Sequence, residues 1–344
     1  MAYTTINKGS SYFNTVLYTG TGASNSVTGV GFKPDFTWVK DRSNARNHQL
    51  VNAVVGYPNG TLLSDATDAE YTAAARVDSS NADGFTVSTP AQVNGSGETY
   101  VAWNWLANNT SGSSNTSGTI TSTVAANTTA GFSIVSYTGN GTGGATIGHG
   151  LGSVPKFIIV KQRSAVQQWI NYHVSLGNTN YVHLNATDAS ASSSTVWNNT
   201  TPTSSVFTVG TAVNCNQSSG TYIAYCFAEI KGYSKFGSYT GNGSADGTFV
   251  YTGFKPAFVL TKRTDGVDSW VLYDNKRNTF NVEDKYLLPN LNNAEDTFIM
   301  YDFVSNGFKL RTTGSQNTSG WSLIYMAFAE NPFVTSGGIP VTAR

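Results

Sequence analysis

The 344-residue chain is poor in charge. Lys and Arg number 20, Asp and Glu also 20, and together they make up 12% of the residues, about half the share in an ordinary globular protein. The formal net charge is zero, and basic residues occur only as isolated pairs such as Lys262 and Arg263. A protein that neutralises phosphates carries a clustered basic excess, so nucleic acid and anionic membrane surfaces are not expected partners. Long apolar runs are missing too. The longest candidate, Thr221 to Ile230, is interrupted by Tyr, Cys and Glu and falls short of the roughly 18 residues that span a bilayer. The opening MAYTTINKGS has neither the basic nor the apolar segment of a secretory signal, so synthesis in the cytoplasm is expected. Cysteine is nearly absent. Cys215 and Cys226 sit out of register in one hairpin-like segment, which predicts two free thiols.

Metal and nucleophile motifs are equally scarce. None of the four histidines (His48, His149, His173, His183) has an i+3 or i+4 His partner, and no CxxC occurs, so no metal site is expected. The only GSG, at Gly95 to Gly97, reads as a hairpin turn rather than a nucleophile elbow. GNGTGG (Gly139 to Gly144) lacks the Lys-Ser/Thr and helix of a phosphate loop. Acidic groups at Asp65, Asp68 and Glu70, and at Asp265 and Asp268, read as solvated loops rather than the paired carboxylates of a glycosidase. No cofactor and no catalytic residue is expected.

The chain is rich in aromatics, with 18 Tyr, 18 Phe and 7 Trp, and in an internal repeat. YTGTG begins at Tyr18, and YTGNG at Tyr137 and Tyr239. FTWVK (Phe36 to Lys40), FIIVK (Phe157 to Lys161) and FVLTK (Phe258 to Lys262) follow in the same order, each after a proline. DGFTV, SVFTV and NGFKL form a third column. YVAWNW, YIAYCF and IYMAF, ending at Trp105, Phe227 and Phe328, form a fourth. Short β-branched and aromatic segments between Gly, Asn, Ser and Thr clusters predict antiparallel strands. The expected fold is all-β, three homologous jelly-roll-like β-sandwich domains.

The boundaries follow from these columns. Residues 1–106 form an N-terminal arm and repeat 1, 131–232 repeat 2, 233–334 repeat 3, and 335–344 a C-terminal tail. Residues 107–130, almost entirely Asn, Ser, Thr, Gly and Ala, read as a flexible linker. Only Asp65 to Val77 is rich enough in Ala to suggest a helix. Register places His48 level with Trp169 and Trp270, an aromatic packing column, and His173 level with Asn52 and Asp274, a polar one. Trp38, Trp103, Trp105, Trp169 and Trp270 therefore belong to cores. Trp197 (in WNNTTP) and Trp321 (in SGWS) have no counterparts in the other copies, and are the candidate ligand-binding residues, for a glycan or a neighbouring subunit.

The phrases themselves carry a resemblance. MAYTTINKGSSYFNTVLYTGTG, GVGFKPDFTWVKDRS, NTTAGFSIVSYTGNGTGGATIGHGLG, YCFAEIKGYSKFGSYTGNGSADGTFVYTGFKPAFVLTKRTD and MAFAENPFV resemble a repeat family encoded by tailed bacteriophages, especially marine and cyanobacterial ones. The resemblance covers nearly the whole chain and implies a structural virion protein, tail-fibre-like, involved in host attachment. It implies other phage virion proteins as partners. Zero net charge and a polar, weakly charged composition favour association of further copies of the chain, a trimer among the options, and the unshared Trp197 and Trp321 point to a host surface glycan as a further expected partner. A capsid-surface decoration protein and a glycan depolymerase are the alternatives. The family supplies no catalytic motif.

Overall fold

The computed structural model describes residues 4–58, 60–72, 76–278 and 280–332. Repeat 1 supplies β1 (Phe13–Thr19), β2 (Asn25–Thr28), β3 (Phe36–Asp41), β4 (Gln49–Asn52), β5 (Val77–Asn81), β6 (Gly84–Val87), the short helix α1 (Ala91–Asn94) and β7 (Thr99–Trp105). Then come β8 (Ser113–Asn115) and β9 (Ser122–Asn127). Repeat 2 supplies β10 (Phe132–Thr138), β11 (Ala145–Gly148), β12 (Pro155–Gln162), β13 (Ile170–His173), β14 (Asn180–His183), β15 (Ala191–Ser192), α2 (Ser194–Trp197), β16 (Val206–Val209), α3 (Val213–Asn216) and β17 (Thr221–Ala228). Repeat 3 supplies β18 (Ser234–Thr240), β19 (Phe249–Tyr251), β20 (Phe254–Arg263), β21 (Val271–Asp274), β22 (Glu283–Tyr286), β23 (Asp296–Val304), β24 (Gly307–Leu310) and β25 (Ser322–Pro332).

The all-β expectation holds, and one strand order recurs. β1-β7-β3-β4, β10-β17-β12-β13 and β18-β25-β20-β21 are the same antiparallel arrangement of the first, fourth and second sequence columns with one further strand. A second, outer layer covers each: β2-β6-β5, β11-β16 and β19-β24-β23-β22. Each repeat buries an apolar cluster between its two layers, around Phe85, Phe207 and Phe308 respectively.

The opposite faces of the three inner sheets share a fourth cluster. At its centre Trp105, Phe227 and Phe328, the last residues of the fourth column, meet one another edge-to-face at 6.3, 6.0 and 5.8 Å between ring centroids. Equivalent residues in mutual contact mark an approximate threefold axis running through one polypeptide. Edge-to-face packing is the geometry that the ring quadrupole favours.

The repeated YTG phrase has a physical cause. Tyr18, Tyr137 and Tyr239 each donate the phenol O–H to a main-chain carbonyl of the turn before the last strand, at Val93, Cys215 and Gln316. A Cβ on Gly20, Gly139 or Gly241 would lie within 2.4 Å of a carbonyl oxygen of that turn. The closing glycines Gly22, Gly141 and Gly243 have φ of +72°, +73° and +70°, the left-handed region that glycine occupies without strain.

Two expectations are corrected. Residues 107–130 are not a flexible linker: β9 pairs with β10 and β8 with β9, widening the second inner sheet. Backbone hydrogen bonding does not depend on side-chain composition, and the few apolar residues, Ile120 and Val124, are spent on the repeat 2 core. The Asp35 carboxylate holds the start of the segment by accepting from the Ala107 and Asn109 amides. The Ala-rich segment is not helical over 65–72; its residues 73–75 lie outside the described residues. Cys215 and Cys226 are buried free thiols.

Candidate functional site

A set of buried titratable and polar groups lies at the three seams between repeats, and one pattern accounts for it. The Trp169 and Trp270 indoles donate to the Leu63 and His183 carbonyls of the preceding repeat, both at 2.8 Å. His48 Nε2 faces the Leu288 carbonyl at 3.1 Å, closing the ring from repeat 1 to repeat 3. The same three residues place their backbone amides on Asp65, Asn185 and Asn290, so the contacts are equivalent residue by residue. The polar column behaves likewise. Asn52 donates to the Tyr225 hydroxyl, His173 faces the Tyr325 carbonyl, and Asp274 accepts from the Trp103 indole.

These positions explain the shifted acidities. Burial pushes His173 down to about 4. It pushes Lys40, Lys161 and Lys262 each down to about 8, which leaves them charged at neutral pH. As an ammonium, Lys161 has three protons for the carbonyls of Thr67, Gln162 and Ala165, and Lys262 has three for Thr187, Arg263 and Asp268. The first and third repeats are not joined directly along the chain, and their seam carries an ion network instead. Arg277 bonds Asp274 at 2.6 Å and Glu295 at 3.3 Å, and Arg42 bonds Glu295 at 2.8 Å. Perturbed groups often mark active sites; here His173, Lys161 and Lys262 each face a carbonyl across a seam.

The two candidate tryptophans do not form a site. Trp197 is 2% exposed in the repeat 2 core, where α2 turns it inward beside Tyr172. Trp321 packs half-buried against the repeat 3 core, with the Arg263 guanidinium 3.6 Å over its ring. They belong to different clusters, and the structure does not bring them together.

The structure offers another place. Large exposed apolar side chains concentrate on the outer layer of repeat 3, at Phe249, Tyr251, Phe298 and Ile299, with Phe280 in the connection leading to β22. A hollow of about 540 Å³ lies there, lined by Asp284, Thr297, Phe298, Ile299, Arg311 and Thr313 among others, within the size range of small-ligand sites. It exists because β23 runs nine residues and its first half, Asp296–Ile299, projects beyond β24 while still paired with β22. The projecting ribbon is held. The buried Tyr273 hydroxyl donates to the Phe298 carbonyl at 2.6 Å, and the Arg311 amide to the Met300 carbonyl at 2.6 Å. Arg311 is clamped between Asp246 at 3.3 Å and Asp302 at 3.4 Å, and Asp284 accepts from Asn278 at 2.7 Å. The available sequence signal was the unbroken apolar run Phe298 to Tyr301, which breaks the in-out alternation of a strand with one wet face.

Among the described residues, no group of three His, Cys, Asp or Glu side chains could hold a metal ion, and no helix is long and apolar enough to cross a membrane. Comparison with curated proteins and with solved structures gave no match. A family model matches residues 8–332, from the first strand of the ring to the last. The chain belongs to the family described as Domain of unknown function (DUF7483).

Proposed function

We propose that this protein is a structural component of a tailed-phage particle, tail-fibre-like, which contacts the host surface without catalysing a reaction there. The observation that carries the reading is a division of labour. Equivalent polar residues in the three repeats are used to close a ring, while exposed apolar surface gathers on one outer layer, that of repeat 3. A rigid body with one distinctive face suits attachment, because exposed apolar clusters on soluble proteins commonly mark contact sites. The phrase-level resemblance to phage-encoded repeat proteins supports the particle setting. Zero net charge and a surface rich in Asn, Thr, Ser and Gly reduce repulsion between neighbouring molecules. The threefold packing that a trimer of one-repeat chains would need is already present within one chain, and the partners proposed in the particle are other virion proteins and further copies of the chain.

Mass spectrometry of purified particles should find the chain at a fixed stoichiometry. Its presence only in the lysate of infected cells would overturn the assignment.

A further inference from the structure

We infer that the hollow on the outer layer of repeat 3 is a binding site for a neutral saccharide, with Phe298 as its stacking platform. The inference rests on the contact role proposed above and gives it a ligand class.

The chemistry of the walls sets the class. A pyranose offers one apolar C–H face and a rim of hydroxyls that both donate and accept. Phe298 and Ile299, 47% and 49% exposed, supply an apolar surface for the first. The guanidinium of Arg311, the Asp284 carboxylate and the Thr297 and Thr313 hydroxyls supply donors and acceptors for the second. Planar guanidinium and carboxylate groups can each engage two neighbouring hydroxyls, a geometry with directional selectivity. The ion pairs of Arg311 run through Nη1 and Nε, and neither uses Nη2.

The charge balance selects for neutrality. The positive charge of Arg311 is already met by Asp246 and Asp302, and Asp246 is also paired with Lys309. An anionic sugar would face Asp284 with no uncommitted cation to offset it. A cationic one would face the guanidinium.

The site is also prepared in advance. Tyr273 fixes the Phe298 backbone, and two carboxylates fix Arg311, so little ordering cost remains on binding. Among the described residues, neither of the other outer layers carries a projecting ribbon of this kind. β5 ends within its pairing to β6, and the second outer layer has only two strands.

Saturation-transfer NMR on the full chain tests the inference, with a panel of neutral hexoses, deoxyhexoses, N-acetylhexosamines and their disaccharides, and galacturonic acid as the charged control. At least one neutral sugar should bind. Phe298→Ala should weaken that binding at least tenfold, and Arg311→Lys, which keeps the charge but loses the planar fork, should also weaken it. Neither variant should shift the thermal midpoint, because both side chains are substantially exposed. Failure of every neutral sugar to bind, binding indifferent to Phe298→Ala, or equal binding of galacturonic acid would each overturn the inference. These results are separable from the particle assignment. A chain present in particles but blind to the panel removes only the ligand class, whereas a sugar-binding chain absent from particles removes only the virion role.

Discussion

Trp169, Trp270 and His48 do the same work with two different rings: each fills volume at a seam and meets a carbonyl of the neighbouring repeat. Trp169→Phe keeps most of the volume and removes the donor, so the Leu63 carbonyl is left inside without this partner. The Leu63 carbonyl keeps the Ala66 amide as a longer donor at 3.4 Å, so the loss is that of one hydrogen bond, about 0.5–1.5 kcal/mol, and denaturant unfolding of the variant should show a loss in that range. Two other residues give the molecule opposing pH dependences. His173 is held neutral, with its value pushed from near 6.5 to about 4. The unfolded chain therefore binds the proton first, so stability is full above about 6.5 and is lost as the pH falls towards 4. His173→Asn, which imitates Asn52 of repeat 1, should flatten that acid slope in unfolding measured between pH 4 and 7. Glu283 behaves oppositely. Burial, reinforced by the nearby Asp274, raises it to about 8, so the stability it contributes is full below about 4.5 and is lost as the pH rises towards 8. Glu283→Gln should therefore gain on the parent protein by on the order of 2 kcal/mol between pH 5 and pH 8; a constant difference across that window would contradict the assignment.

Strands β8 and β9 show what pattern reading can and cannot see. The columns ending at Trp105, Phe227 and Phe328 were legible because aromatic and β-branched residues in fixed order dictate buried strands, and the His48 column was legible because its register matched Trp169 and Trp270. The segment 107–130 was not legible. Its side chains are small and polar, and its order comes from backbone pairing to β10 plus a few inward residues. Trp197 misled for a related reason: polar neighbours suggested a loop, whereas a single helical turn directs the ring into the core. The projecting end of β23 escaped because the run Phe298 to Tyr301 signals only a break in alternation, whereas the exposure of Phe298 depends on how far β24 reaches. Ile120 measures how firmly the segment is held. It is 7% exposed and bridges Ile147, and truncation of a buried isoleucine costs about 2–5 kcal/mol. Ile120→Ala should lower stability by about 2 kcal/mol and open 107–130 to limited proteolysis, whereas a free linker would show neither effect.

Closure of the three repeats around one aromatic centre makes each of them dependent on the other two. Fragment 107–232 retains repeat 2 and the strands that widen its sheet, but it loses the rings that cover its inward face. Phe132, Phe157, Trp169, Tyr225 and Phe227 all belong to the shared cluster. Exposing five such side chains forfeits about 2–3 kcal/mol each, a sum comparable with the whole net stability of an ordinary domain, about 5–15 kcal/mol. A folded monomer is therefore not expected. The seam geometry leaves the fragment one alternative. It carries both the Trp169 indole and the His183 carbonyl, the two halves of the hydrogen bond that joins repeats in the parent chain. Three copies could thus satisfy one another around the axis that the parent closes alone. Sedimentation velocity and circular dichroism should find the isolated fragment either unfolded or trimeric, with folded content rising with concentration. A β-rich monomer at low micromolar concentration would show that the repeats stand by themselves and that the shared core is a contact between finished units rather than part of what folds them.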